Sequence, residues 1–574
     1  MQNGLVLVIV GMAGLTLGCA SAQTRDEVNT RLEKTLTASA RPAYVTKDAE
    51  GKKLWALTKQ FYERRGYEPA WLDGTNPRPR MRGLLAALSA AEDEGLDPEL
   101  YNVSLLVERR EEADRGFISK KGFDPGEAGT LEVWLTYLYM KYASDLAEGL
   151  SDLARADPKW QIRPAPFNPV EHLATAIEED RVEKAVLSLR PENPQYVALR
   201  KALATYRKRA EEGGWPQVPA GLRLKPGQKS PHVRALALRL AASGDYSGRI
   251  PGEEGPQPYD TALQEAVKRF QRRHGLVEDG IVGAPTAAEL NIPIERRIEG
   301  LRLNLERWRW LPRELGDTYV LVNIPEYRLE VWEKGRVPLT MRVVVGKEDT
   351  PTPIFNDRMS YLVFSPYWNV PPDIAAGETI PALLKDPDFL ARNDMEVLDK
   401  AGKPVDPLSI DIEDPTKYRF RQRPGAGNSL GLVKFMFPNQ YHVYLHDTPA
   451  SSLFARASRS FSHGCVRVEE PVALAEYLLR DQREWDRQEI AKAMSAGEEK
   501  TVKLREPVPV YLGYWTARVD DDGEVHFRKD VYGIDRRQTT LLADRVERMR
   551  KSAEAAARAA AASPDGRATA RSSE

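Results

Sequence analysis

At 574 residues the chain is too long for one hydrophobic core, so several domains are expected. Its 83 basic and 84 acidic residues nearly cancel, which excludes a global electrostatic case for nucleic acid or an acidic polymer as partner. Histidine is scarce at seven residues, yet His442, His446 and His463 share one short segment.

The chain begins MQNGLVLVIVGMAGLTLGCASAQTRDE. The apolar run from Leu5 to Leu17 is too short to span a bilayer comfortably. It reads as the apolar part of a secretory signal over residues 1–22, although no Lys or Arg precedes it. Two processing readings stand side by side. Ala20-Ser21-Ala22 suits release of a soluble protein, and Leu17-Gly18-Cys19 resembles the lipoprotein site that would acylate Cys19. A buried N-terminal helix is set aside because polar, charged sequence follows. Export would leave Cys465 as the one free thiol in an oxidising compartment, either an inert filler or a reactive group.

Residues 24–50 read as a polar linker. A helical pattern then runs from Leu54 to Tyr206, within a domain drawn at 40–215. Trp134, Tyr137, Leu138 and Tyr142 recur there at helical spacing and predict core. Pro164, Pro166 and Pro169 mark a loop, and Pro216 to Pro226 form a joint. The next unit, 222–292, carries two helical stripes, Val233/Leu236/Leu240 and Leu263/Val267/Phe270. A connecting helix follows, with Ile298, Leu301, Leu305 and Trp308 on one side.

From Thr318 the period changes to two. "TYVLVNIPEYRLEVWE" and "PLTMRVVVGK" read as strands joined through Lys334-Gly335, and "SYLVFSPYWNV", "GLVKFMFPNQ" and "YHVYLHD" continue the β pattern. The pattern stops between Asn369 and Gly431. Helical "IPALLKDPDFLARN" and Gly/Pro-rich "RQRPGAGNSLG" there predict an inserted cap at 373–430. Glu470 to Asp486 reads as helix, 507–545 as a C-terminal strand unit, and 546–574 as a frayed helix passing into a disordered tail.

The stretch "FSHGCVRV" (461–468) carries the chemistry. A free cysteine has a pKa near ~8.5, and a neighbouring imidazole can take its proton to form a nucleophilic ion pair. His446 ends the strand "YHVYLH", nineteen residues before Cys465, so two strand-end loops can bring the pair together. Gly464 permits close approach of a substrate carbonyl, and the N–H groups of Gly464 and Cys465 are candidate oxyanion donors. Zinc is the rival chemistry, with His442, His446, His463 and Cys465 as candidate ligands. On an extended strand His442 and His446 would lie about 13 Å apart at ~3.3 Å per residue, too far for one metal shell.

Two stretches resemble known families. "YDTALQEAVKRFQRRHGLVEDGIVGAPTAAELN" resembles the peptidoglycan-binding module of bacterial cell-wall enzymes, with a structural spacer as the alternative. "HDTPASSLFARASRSFSHGCVRV", from His446 to Val468, resembles the signature of the L,D-transpeptidases, and "FSPYWNVPPDIA" with the module order resembles their large Gram-negative branch. The fold this implies is multidomain α+β. A mostly β catalytic domain (318–482) with an inserted cap stands beside the small helical module and a helical N-terminal scaffold domain. The resemblance makes Cys465 the nucleophile and His446 its base, oriented by a main-chain carbonyl. Gly464 and Cys465 then supply the oxyanion donors, Ser462 and His463 support the loop, and Arg467, Trp368 and Tyr444 bind substrate. Arg467 stands where many relatives have Asn, either holding a stem-peptide carboxylate or bracing the loop. His442 has no role on this reading and is expected as a surface strand residue.

The implied reaction joins two peptidoglycan tetrapeptide stems, donor and acceptor, through a cysteinyl thioester with loss of D-Ala, giving a 3→3 cross-link. It needs no metal or other cofactor. Hydrolysis of the same bond (an L,D-carboxypeptidase), attachment of a lipoprotein to the wall and a non-catalytic wall-binding scaffold are the alternatives. Carbapenem inhibition, a periplasmic or cell-envelope location and membrane contact only through an N-terminal lipid are also implied.

Overall fold

The computed structural model describes residues 10–106, 125–150, 160–410 and 417–561. Among them no helix is long and apolar enough to cross a membrane.

Helix α1 spans Val10–Thr37, so residues 24–37 are not linker. Val28, Leu32 and Leu36 form an i, i+4 stripe that is fully buried. Three apolar residues among charged neighbours gave too faint a stripe to read. The surroundings of Cys19 lie outside the described side chains. Helix α2 (Ala49–Arg64) begins on an Asp48 side chain that accepts the Gly51 N–H. Helix α3 (Pro125–Glu148) is apolar nearly all round and forms the axis of the helical domain, with Trp134, Tyr137, Leu138 and Tyr142 all buried. Its buried Glu132 is held by the N–H groups of Ala70, Trp71 and Leu72 and by the Tyr62 hydroxyl. Helix α4 (Pro194–Glu211) carries this domain to the joint.

The second unit has its own core. Helices α5 (Val233–Ala242), α6 (Thr261–Arg273) and α7 (Ala284–Leu290) bury Leu236, Leu240, Leu263, Val267, Phe270 and Leu290 against one another. Helix α8 (Ile294–Arg309) then leads into a nine-stranded sheet.

That sheet is built from β1 (Thr318–Asn323), β2 (Arg328–Glu333), β3 (Arg336–Gly346) and β4 (Phe355–Phe364). The segment read as one strand from Thr318 is a hairpin instead. Tyr327 turns it at φ 55° and donates its N–H to the Ile324 carbonyl. The following Lys334-Gly335 turn has both residues at positive φ, which matches the twist of a two-residue hairpin.

The insertion opens with β5 (Trp368–Asn369) and a π-helical turn at Ala375–Thr379, continued by α9 (Ile380–Lys385). The β pattern does not stop there. Strands β6 (Met395–Leu398), β7 (Pro404–Val405) and β8 (Arg419–Gln422) join β5 in a separate sheet ordered β7-β6-β8-β5. Ala375, Ile380, Leu383, Leu390, Val397 and Phe420 form its small core. These strands are two to four residues long, too short for alternation to register.

The main sheet resumes with β9 (Val433–Met436), β10 (Leu445–His446), β11 (Ser460–Ser462) and β12 (Val466–Val468), followed by helix α10 (Pro471–Leu479). Strand β13 (Lys500–Gly513) lies between β4 and β1. The order is β11-β3-β12-β10-β9-β4-β13-β1-β2, and β2 also pairs with β3, which closes the sheet on itself. The expected C-terminal strand unit at 507–545 is therefore divided. Its first part belongs to this sheet, β14 (Ala517–Val519) and β15 (Val525–Phe527) form a hairpin, and α11 (Ile534–Ala561) begins before residue 545. Arg545 and Met549 of α11 are buried, the helical part of the expected frayed tail extends through residue 561, and the remainder lies outside the described residues.

Candidate active site

Register brings the candidate residues together. Strand β10 runs parallel to β12, with Leu445 opposite Val466 and His446 opposite Arg467. Tyr444 and Cys465 thus enter the same pair of strands from the same end. Both β11 and β12 pair with β3, so residues 463–465 form the tip of a tight reversal. Gly464 holds φ 115° there, a conformation that an L side chain rarely adopts.

Ser462 closes the reversal. Its Oγ donates to the Cys465 carbonyl (2.5 Å) and accepts the Gly464 N–H (3.1 Å). The Gly464 N–H expected as an oxyanion donor is therefore spent inside the loop. The Cys465 N–H meets no protein acceptor among the described residues and is the donor that remains. Lys347 N–H (3.0 Å) and Thr350 Oγ1 (3.2 Å) donate to the Ser462 carbonyl, and Thr352 Oγ1 donates to that of Gly464 (2.8 Å).

The buried His446 donates Nδ1–H to the main-chain carbonyl of Asp447 at 2.6 Å. That bond selects the tautomer with a free Nε2, the form a base requires. The Asp447 carboxylate is engaged elsewhere, accepting the N–H groups of Leu432 (2.9 Å) and Thr448 (2.7 Å). Burial, then the neighbouring Arg467 charge, lower the His446 pKa to about 3. Burial pushes the Cys465 thiol up to about 11, opposed by a backbone hydrogen bond from Tyr444 and by Arg467. At neutral pH both groups are uncharged. The resting site holds a neutral thiol and a neutral imidazole on neighbouring strands and not the ion pair that the sequence suggested.

The other candidates take distinct places. Arg467 is half-buried, its Nε has no protein partner, and burial depresses its pKa. The Tyr444 ring lies 5.7 Å from that of His446. Trp368 sits half-buried on β5 of the cap, opposite Gln422. His463 points out of the loop, and its Nε2 meets the Glu378 carboxylate of the cap's π-helical turn at 2.7 Å.

His442 is not on a strand. It lies in a turn at φ 54°, and its carbonyl faces the Cys465 sulfur at 3.9 Å. The extended-strand spacing used against zinc therefore does not apply. Among the described residues, the group with ligand atoms within 4.8 Å of one another is instead Asp520, Glu524 and His526, at the β14–β15 hairpin. Sequence reading missed Thr352, Glu378 and the His442 carbonyl, which become neighbours of the loop only through folding.

Residues 317–509 match the family model "L,D-transpeptidase catalytic domain", residues 229–290 "Putative peptidoglycan binding domain", and residues 56–203 "Scaffold domain". A Haemophilus influenzae protein named "Putative L,D-transpeptidase" is 35% identical over 317 residues, covering 53% of this chain and 63% of that protein. The chain thus spans less than two thirds of that relative's length. Among solved structures, an L,D-transpeptidase from Mycobacterium smegmatis shares 15% identity at TM-score 0.17, over 34% of this chain and 58% of that one. One from Xylanimonas cellulosilytica shares 18% identity at TM-score 0.17, over 51% and 98%. Along the chain the matched models thus run in the order scaffold domain, peptidoglycan-binding domain and L,D-transpeptidase catalytic domain.

Proposed function

We propose that the protein is a peptidoglycan L,D-transpeptidase that forms 3→3 cross-links through a thioester on Cys465. The observation that carries this reading is the parallel β10–β12 pairing, which sets a buried, tautomer-fixed imidazole one strand away from a thiol at the tip of a tight loop. The sulfur attacks the carbonyl of the third stem residue as its proton passes to His446 Nε2. With the thiol raised and the imidazole lowered, that transfer accompanies attack and does not precede it. The Cys465 N–H receives the developing oxyanion. The intermediate collapses, His446 returns the proton to the departing D-Ala nitrogen, and the thioester remains. The side-chain amine of a second stem then attacks it, again losing its proton to His446, and the thiol is regenerated.

Arg467 serves twice in this scheme: its charge biases His446 toward neutrality, and it offers a fixed cation for a stem carboxylate. Residues 222–292 hold the enzyme on the wall in this scheme, and the N-terminal segment directs export to the cell envelope, with or without a lipid on Cys19. Carbapenems are expected to acylate Cys465. Purified disaccharide-tetrapeptide is the test substrate. Mass analysis should find cross-linked dimers with wild type and none with Cys465→Ala. Tripeptide without dimer would make the protein an L,D-carboxypeptidase.

A further inference from the structure

The Gly464–Cys465 peptide is planar and trans, so the Gly464 carbonyl and the Cys465 N–H point in opposite directions. Whatever holds the carbonyl aims the N–H. The group that holds it is Thr352, a buried residue in the connection between β3 and β4. A hydroxyl has one proton to give. Thr352 Oγ1 accepts the Gly346 N–H at 2.9 Å and sends its own proton to the Gly464 carbonyl at 2.8 Å.

Thr352 is itself held from behind. Tyr532, also buried, accepts the Thr352 N–H at 3.2 Å and donates its hydroxyl to the Gly346 carbonyl at 2.8 Å. A Cβ on Gly346 would come within 2.2 Å of the Thr350 carbonyl oxygen, so the turn is as close as backbone allows. Tyr532 lies beyond residues 317–509, just before α11, and its own N–H is taken by the Tyr514 hydroxyl at 2.9 Å.

We propose that Thr352 and Tyr532 are positioning residues that fix the Gly464–Cys465 peptide and so aim the Cys465 N–H at the oxygen of the scissile carbonyl. The proposal rests on the thioester reading. Neither residue touches substrate. They act in series, Tyr532 on Thr352 and Thr352 on the loop.

Two reactions of Cys465 separate this role from general support of the fold. Acylation passes through an oxyanion. Alkylation by iodoacetamide is a direct displacement at carbon and forms none. Full-length Thr352→Val should lose about 100-fold in kcat for D-Ala release, the scale of a displaced catalytic group, with KM within about threefold. Its alkylation rate at Cys465, located by peptide mass spectrometry, should stay within about twofold of wild type. Thr352→Ser keeps the hydroxyl and should recover most of kcat. Tyr532→Phe should cost about tenfold, and the double variant should be no worse than Thr352→Val alone, as expected for groups in series. Should Thr352→Val fail to fold, Thr352→Ser and Tyr532→Phe still carry the comparison.

Unchanged kcat in Thr352→Val or Tyr532→Phe overturns the proposal. So does a parallel fall in acylation and alkylation, which marks a structural role only. If wild type releases no D-Ala, the cross-linking reading fails, and the positioning role is then read from the rate of acylation by a carbapenem. Absence of that acylation as well overturns both.

Discussion

Burial sets the chemistry of the two central side chains. A thiol near 11 and an imidazole near 3 mean that the thiolate fraction is negligible at neutral pH in the free enzyme. Iodoacetamide alkylation of Cys465 should therefore rise with pH up to a midpoint near 11. A midpoint near neutrality would instead reveal a preformed ion pair. Cys465→Ser should abolish cross-linking with the fold intact, because the same imidazole would face a far weaker acid. More than trace dimer from that variant would argue against thiolate chemistry. His446 also links stability to acidity. Its folded pKa lies below the 6.5 of the free imidazole, so protonation favours the unfolded chain. That contribution is fully present above pH 6.5 and is lost as pH falls toward 3. Denaturant titration should show His446→Gln losing less stability than wild type across that window.

At the scale of elements, the cap meets the Cys465 loop by a side chain and His446 by its backbone. Glu378 reaches His463, and the Leu430 carbonyl, where the cap returns to the sheet, opposes the lowering of the His446 pKa. A covered thioester meets an amine more often than water. Glu378→Ala removes the side-chain tie and leaves the cap core in place. It should raise the ratio of tripeptide to dimer severalfold with little change in melting temperature. The same ratio as wild type would confine the Glu378–His463 contact to a structural role.

Across the whole molecule, the β14–β15 hairpin joins all three domains. Arg273 of the second unit pairs with buried Asp245 and donates to the Val525 carbonyl, Gln195 of the helical domain exchanges two hydrogen bonds with Val519, and Arg528 donates to the Arg273 carbonyl. Removing one partner of such a buried pair leaves an uncompensated charge. Arg273→Ala should cost about 3–5 kcal/mol and lower the melting of the chain as a whole. A separate early transition, with the catalytic domain unaffected, would show that the hairpin does not couple the units.

Cys465 and His446 were legible as candidates because a thiol and an imidazole are among the few side chains that can supply a nucleophile and a base. The long helical stripes and the period change at Thr318 were legible for a related reason, since a face that is buried over many residues repeats. What the linear pattern could not contain is register and environment. The β10–β12 pairing, the diversion of the Gly464 N–H to Ser462 and the Thr352–Tyr532 support join residues up to 186 positions apart. The wider separation of the two pKa values comes from desolvation, which no local spacing encodes. The residue types thus determined which atoms can react. Their protonation and aim were decided by the tertiary structure, because both depend on what the fold packs around them.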